Sequence, residues 1–157
     1  MNFRKLMIAA LGILFILIGT LVPVFAHCQV PCGIYDDAMR IKMISEHITT
    51  IEKAMNQIET LSSQQPVNYN QIVRWVVNKE KHAEELSDIV TYYFMAQRVS
   101  PPDREEGEGN SRYLKQLTLL HRILVTTMKA KQTVDRSHIA RLRSLLKEFE
   151  ETYFHSH

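Results

Sequence analysis

A chain of 157 residues, 45% of them hydrophobic and with no break in composition, suffices for one domain and gives no ground for two. A formal net charge of +2, with no basic stripe interleaved with aromatics, argues against a nucleic-acid surface. Arg4 and Lys5 precede position 26 and no acid does, so the remainder of the chain is formally neutral.

The first 26 residues have the three parts of a secretory signal. Arg4 and Lys5 form a short positive region, and Leu6 to Val22 is an almost unbroken apolar run. Pro23 then breaks any helix. Val24-Phe25-Ala26 puts small residues where a signal peptidase needs them for a cut before His27. The competing reading is a retained membrane anchor, since an apolar run of about 20 residues can span a bilayer. The expectation is an exported protein, periplasmic or extracellular, tethered to the membrane only if the leader is retained. It has no membrane contact once the leader is cleaved.

The next stretch, His27-Cys28-Gln29-Val30-Pro31-Cys32-Gly33-Ile34-Tyr35, carries the only two cysteines. In an exported protein the plain reading is a disulfide, but a bridge closing so short a loop at a chain end stabilises little of a fold behind it. Cys-x-x-x-Cys fits neither a thioredoxin-type motif nor a haem attachment site. Cleavage before His27 would put an α-amine, an imidazole, two thiolates and backbone amides within reach of one ion. Nitrogen and sulfur donors in a plane suit Ni(II) or Cu(II). Zinc would want a second Cys/His pair, and none has suitable spacing. Pro31 can fix a turn, and Gly33 permits a backbone angle closed to other residues, so together they would fold this peptide back on itself.

From Asp36 onward the spacing predicts four helices. The first runs from about Asp37 to Ser62, with Ile41, Ile44, Ile48, Ile51, Met55, Ile58 and Leu61 on one stripe. Ser63 to Asn68, with Pro66, ends it. The second runs from about Tyr69 to Arg98. Ile72, Val73, Val76, Val77, Ala83, Leu86, Ile89, Val90, Tyr93 and Phe94 are expected to face inward, and Lys79, Glu80, Lys81, Glu84 and Glu85 outward. Ser100 to Asn110, with two prolines and two glycines, reads as loop. The third helix is expected from about Ser111 to Lys131, burying Tyr113, Leu114, Leu117, Leu120, Leu124, Val125 and Met128. After a turn at Thr133 to Arg136 the fourth covers about Ser137 to Tyr153, with Ile139, Leu142, Leu145, Leu146 and Phe149 inward. Four amphipathic helices with short connections imply an all-α, antiparallel four-helix bundle. Its parts would be a leader at 1–26, a metal-binding hook at 27–35 and the bundle at 36–157. His47, His82, His121 and His138 read as packed or solvent-facing histidines, Trp75 as core or subunit interface, and His155 and His157 as a short tail.

His-Cys-x-x-Pro-Cys-Gly-x-Tyr behind a processing site resembles the nickel hook of the nickel superoxide dismutases, and the helical remainder is similar to that family's four-helix subunit. The resemblance implies a superoxide dismutase with one nickel ion per subunit, cycling between Ni(II) and Ni(III), and a homohexamer. It implies that His27 ligates through its α-amine and imidazole, Cys28 through its thiolate and backbone amide, and Cys32 through its thiolate. Tyr35 would stand over the open face as a gate to small anions. Known members brace the axial imidazole with a glutamate and an arginine. Met43 and His82 stand near those positions here, so that support is not carried over. A carrier of nickel or copper would use the same ligands but would need no gate such as Tyr35.

Overall fold

The computed structural model describes residues 33–103 and 106–154, together with Met7. The leader cleavage site, His27, Cys28, Pro31 and Cys32 lie outside the described residues.

Helix α1 spans Asp37–Ser62. It starts where Asp36 accepts a hydrogen bond from the Met39 amide at 2.9 Å, satisfying one of the free donors of the first turn. Most of its stripe is buried as the spacing predicts, Ile41, Ile44, Ile48, Ile51 and Met55, with Ala54, while Ile58 and Leu61 near its end are half-buried. A short loop containing a cis Gln65–Pro66 bond leads to Asn68, whose side chain caps helix α2, Tyr69–Asp88. The same rod continues as a π-helical segment over Ile89–Arg98. Helix α3 spans Glu108–Gln132 and helix α4 Ser137–Phe154. Asp135 receives the Ser137 amide at 2.8 Å at the start of α4.

Each helix packs against the next in the chain, and α4 closes the ring on α1, the up-down-up-down arrangement that short connections dictate. The core includes the α1 stripe, Leu86, Val90 and Phe94, Leu120 and Ile123, and all five apolar residues expected of α4. Phe94 and Phe149 are fully sealed and meet edge to face at 5.1 Å. Burying rings of this size stabilises the fold by about 1.5–3 kcal/mol each. Among the described residues no helix is long and apolar enough to cross a membrane.

The structure departs from the expected faces in three places and from an expected helix start in one. Val73, Val76 and Val77 are 59%, 38% and 60% exposed, so the outer half of α2 does not bury its valines within this subunit. Lys79 is buried, not on the wet side. Its ammonium donates to the carbonyls of Ala130 (3.2 Å), Lys131 (2.6 Å) and Thr133 (2.9 Å), where the end of α3 leaves acceptors without intrahelical partners. Helix α3 is turned from its expected face. It buries Gln116, Leu119, Leu120, Ile123, Thr126, Thr127 and Ala130 and leaves Leu114 and Met128 exposed. This helix has apolar residues around most of its circumference, and the two threonines hid the true stripe. It also begins at Glu108, inside the expected loop, because Gly107 adopts φ +101° just ahead of it and turns the chain into the first helical turn.

Candidate metal centre

The described chain enters the bundle at Gly33, whose φ of +76° is the left-handed conformation that glycine alone adopts without strain. Ile34 is exposed, and Tyr35 is then laid against the π-helical segment. Its ring meets Tyr93 edge to face at 5.9 Å, and the Arg98 guanidinium lies 4.4 Å from its centre. Its hydroxyl is directed at Gln97 Oε1 at 3.5 Å, and Gln97 is itself held by donating to the Tyr92 carbonyl at 2.7 Å. The widened π-helix groups Tyr93, Gln97 and Arg98 behind one aromatic ring, and such segments recur at functional sites.

Beneath this seat lies a carboxylate with four hydrogen bonds. Asp37 Oδ1 accepts from the Tyr93 hydroxyl at 2.6 Å and Arg98 Nε at 2.9 Å. Its Oδ2 accepts from Arg98 Nη2 at 2.7 Å and the Tyr153 hydroxyl at 2.8 Å. Burial alone would raise the Asp37 pKa, but the bonds from Arg98, Tyr93 and Tyr153 outweigh it and hold the carboxyl below its ordinary value. Burial and the bond to Asp37 push Tyr93 and Tyr153 each up to about 12. Arg98, hydrogen-bonded to Asp37, is raised and stays charged. Three helical segments are thus tied together directly behind Tyr35.

Arg40 is the neighbouring cation without such compensation. Its guanidinium lies 5.0 Å from the Tyr93 ring centre and donates to Met43 Sδ at 3.7 Å. Its Nε finds no partner among the described residues. One positive charge therefore stands beside the Tyr35 seat with no carboxylate of the described residues holding it.

Of the four expected site residues, Tyr35 is described and stands at the mouth of the bundle, while His27, Cys28 and Cys32 lie outside the described residues. Asp37, Tyr93, Arg98 and Tyr153 were not legible as a site. They come from three helical segments and have no common spacing. His47, His82 and Glu85 are a second grouping that the sequence reading missed, although His82 and Glu85 stand three apart on one helix face. Burial lowers the His47 pKa; Glu85 pulls it back up, and His82 adds to the lowering.

A helical bundle with a braced tyrosine just after a Cys- and His-bearing N-terminal segment defines a small helical metalloprotein subunit. The chain matches the family model of nickel-containing superoxide dismutases over residues 22–157, and it belongs to that family. No curated protein and no solved structure matches it. The protein is therefore a nickel-dependent oxidoreductase that disproportionates superoxide to dioxygen and hydrogen peroxide. The residue types present suit that metal: one histidine and two cysteines in one short peptide offer imidazole, amide and thiolate donors of the kind square-planar Ni(II) favours, and Gly33 and Tyr35 mark where the described chain meets the bundle.

Proposed function

We propose that the nickel of this dismutase is held at a processed N-terminus, by the α-amine and imidazole of His27, the thiolate and backbone amide of Cys28 and the thiolate of Cys32. The observation that carries this reading is the seat of Tyr35, clamped between Tyr93 and Arg98 two residues after the left-handed turn at Gly33. When bound, the nickel supplies a Ni(II)/Ni(III) couple able to take one electron from one superoxide and give it to a second, which leaves as hydrogen peroxide with two protons. Pro31 and Gly33 would fold the peptide back so that its donors converge. Tyr35, held on its inner side, presents its half-exposed ring over the open face and admits only small species. Arg40 draws the anion toward that mouth.

The leader at 1–26 would be removed by signal peptidase and the protein exported, since an uncut chain would have no amine on His27. A homohexamer accords with the apolar side chains left open, Tyr69, Val73 and Val77 on α2 and Leu114 and Met128 on α3. The test is intact mass and N-terminal sequencing of protein from its native host, with metal analysis on the same sample. A chain beginning at His27 with about one nickel per subunit, as a single planar donor set per chain implies, is the expected result. A retained leader, or a metal-free Cys28–Cys32 disulfide, would overturn the ligand assignment.

A further inference from the structure

About three turns along α1 from Asp37, ten residues at 1.5 Å each or about 15 Å, His47 faces His82 and Glu85 of α2. The two imidazole Nδ1 atoms are 2.9 Å apart. Glu85 Oε2 lies 3.6 Å from His47 Nδ1 and 3.4 Å from His82 Nδ1. The last two separations exceed the 2.7–3.2 Å of a firm N–H···O bond, so a hydrogen-bonded triad is not what the carboxylate is placed for.

The three distances do match the edges of a coordination face. Tetrahedral zinc with bonds of about 2.0–2.1 Å has ligand–ligand edges of about 3.3–3.4 Å, and 2.9, 3.4 and 3.6 Å bracket that value. Two imidazoles and one carboxylate form a familiar three-ligand set for zinc and suit hard, oxygen-seeking Ca(II) or Mg(II) poorly. The side chains are 13%, 25% and 39% exposed, so the donors are partly desolvated and yet reachable. The other carboxylate oxygen, Glu85 Oε1, faces Lys81 Nζ at 3.7 Å, which helps fix the direction of Oε2. Glu46, beside His47 on α1, adds negative potential.

We propose that His47 Nδ1, His82 Nδ1 and Glu85 Oε2 form a second metal site, with ligands distinct from those of the hook, for a divalent zinc-like ion whose fourth position is open to water. Such an ion would clamp α1 to α2 midway along their pairing. Its presence would couple the firmness of that helix pair to metal supply.

The test uses the full chain carrying C28S and C32S, so that the hook thiolates cannot contribute, and therefore does not depend on the nickel ligand assignment. Co(II) titration should give one ion per chain with the intense visible absorption of tetrahedral cobalt, displaced by Zn(II). H82A should weaken binding by more than the ~10–100-fold that loss of an outer-shell partner costs. E85Q, which keeps size at the most exposed of the three positions, should weaken it in the same direction while circular dichroism stays unchanged. Removing residues 155–157, or replacing the exposed helical His121 by alanine, should leave it intact. Absence of stoichiometric binding would overturn the site. So would a bound ion indifferent to both H82A and E85Q, or one lost with the His155–His157 tail.

Discussion

The two ends of the α1–α2 pair solve the same packing problem differently. At the Asp37 end, one carboxylate gathers Arg98, Tyr93 and Tyr153, and the rings of Tyr93, Phe94, Phe149 and Tyr153 interlock around it. At the Tyr69 end, three valines and a tyrosine stand open to solvent, and Trp75 has the Lys53 ammonium 5.9 Å from its ring centre. The first end is complete within one chain, and it is where the hook departs. The second is built from residues suited to burial that this chain does not bury. On the proposed reading, the end that would hold the metal peptide is braced internally, and the end left apolar and open would be covered by another subunit.

That contrast breaks most sharply at Asp37. Replacing Asp37 by alanine leaves Arg98 and two tyrosine hydroxyls without their common acceptor. Removing one partner of a buried pair costs up to 3–5 kcal/mol. Because the Arg98 side chain is 30% exposed, a loss of about 2–3 kcal/mol in urea unfolding is expected, with Tyr35 freed from its seat and dismutase activity falling as well. Activity unchanged beside that loss would separate the brace from the metal centre.

Lys79 is the internal control, a polar brace away from the hook. Lys79→Met should cost about 2 kcal/mol, since charge-assisted bonds contribute roughly 1.5–3 kcal/mol, with no change in activity per folded subunit. Equal losses of activity in the Asp37 and Lys79 variants would mean that any weakening of the bundle disturbs the centre.

The same brace sets two pH limits. Asp37 titrates below its ordinary value in the folded state, so its contribution is complete above about pH 4 and is lost as pH falls through that lowered pKa. Tyr93 and Tyr153 are raised to about 12, so their contribution is complete below about pH 10 and is lost as pH rises toward 12. Urea unfolding across pH should show both limbs in the native protein, and D37N should flatten them together.

The sequence reading foresaw those elements whose burial follows a single rule. The first four α1 isoleucines of the stripe and the α4 stripe sit at helical spacing and are buried as expected, because each of these faces is apolar and meets a partner. The hook motif stands out for a different reason, since its candidate donors are adjacent in the chain, and it lies outside the described residues. What stayed hidden depends on the relation between helices. Lys79 looks like surface until the end of α3 is brought to it. The true face of α3 is masked by leucines on several sides and by two threonines that pack inward. Asp37 and His47 acquire partners 35 to 116 residues away, beyond the reach of any local pattern.

Arg40 offers a finer probe of the braced end, because it is a charge there that the brace does not use. Arg40→Gln should lower kcat/KM for superoxide roughly two- to fivefold and flatten its dependence on ionic strength, the mark of lost electrostatic steering, with nickel content unchanged. A fall in kcat/KM that is equal at low and high salt would assign Arg40 a packing role against Tyr93 instead.

The smallest effect on the subunit itself is expected at the open end. Val73 and Val77 are 59% and 60% exposed, and exposed substitutions usually shift stability by less than about 0.5 kcal/mol. Val73→Ser with Val77→Ser should therefore leave unfolding of the isolated subunit nearly unchanged while weakening its self-association, read by light scattering across a dilution series. The two readouts carry opposite information. If subunit stability falls by more than about 1 kcal/mol, beyond the exposed-site range, the valines are packed within the chain and the contrast between the two ends fails. If stability holds and the oligomer dissociates, the apolar residues of outer α2 belong to the assembly, which explains why helical spacing predicted their burial and a single subunit does not supply it.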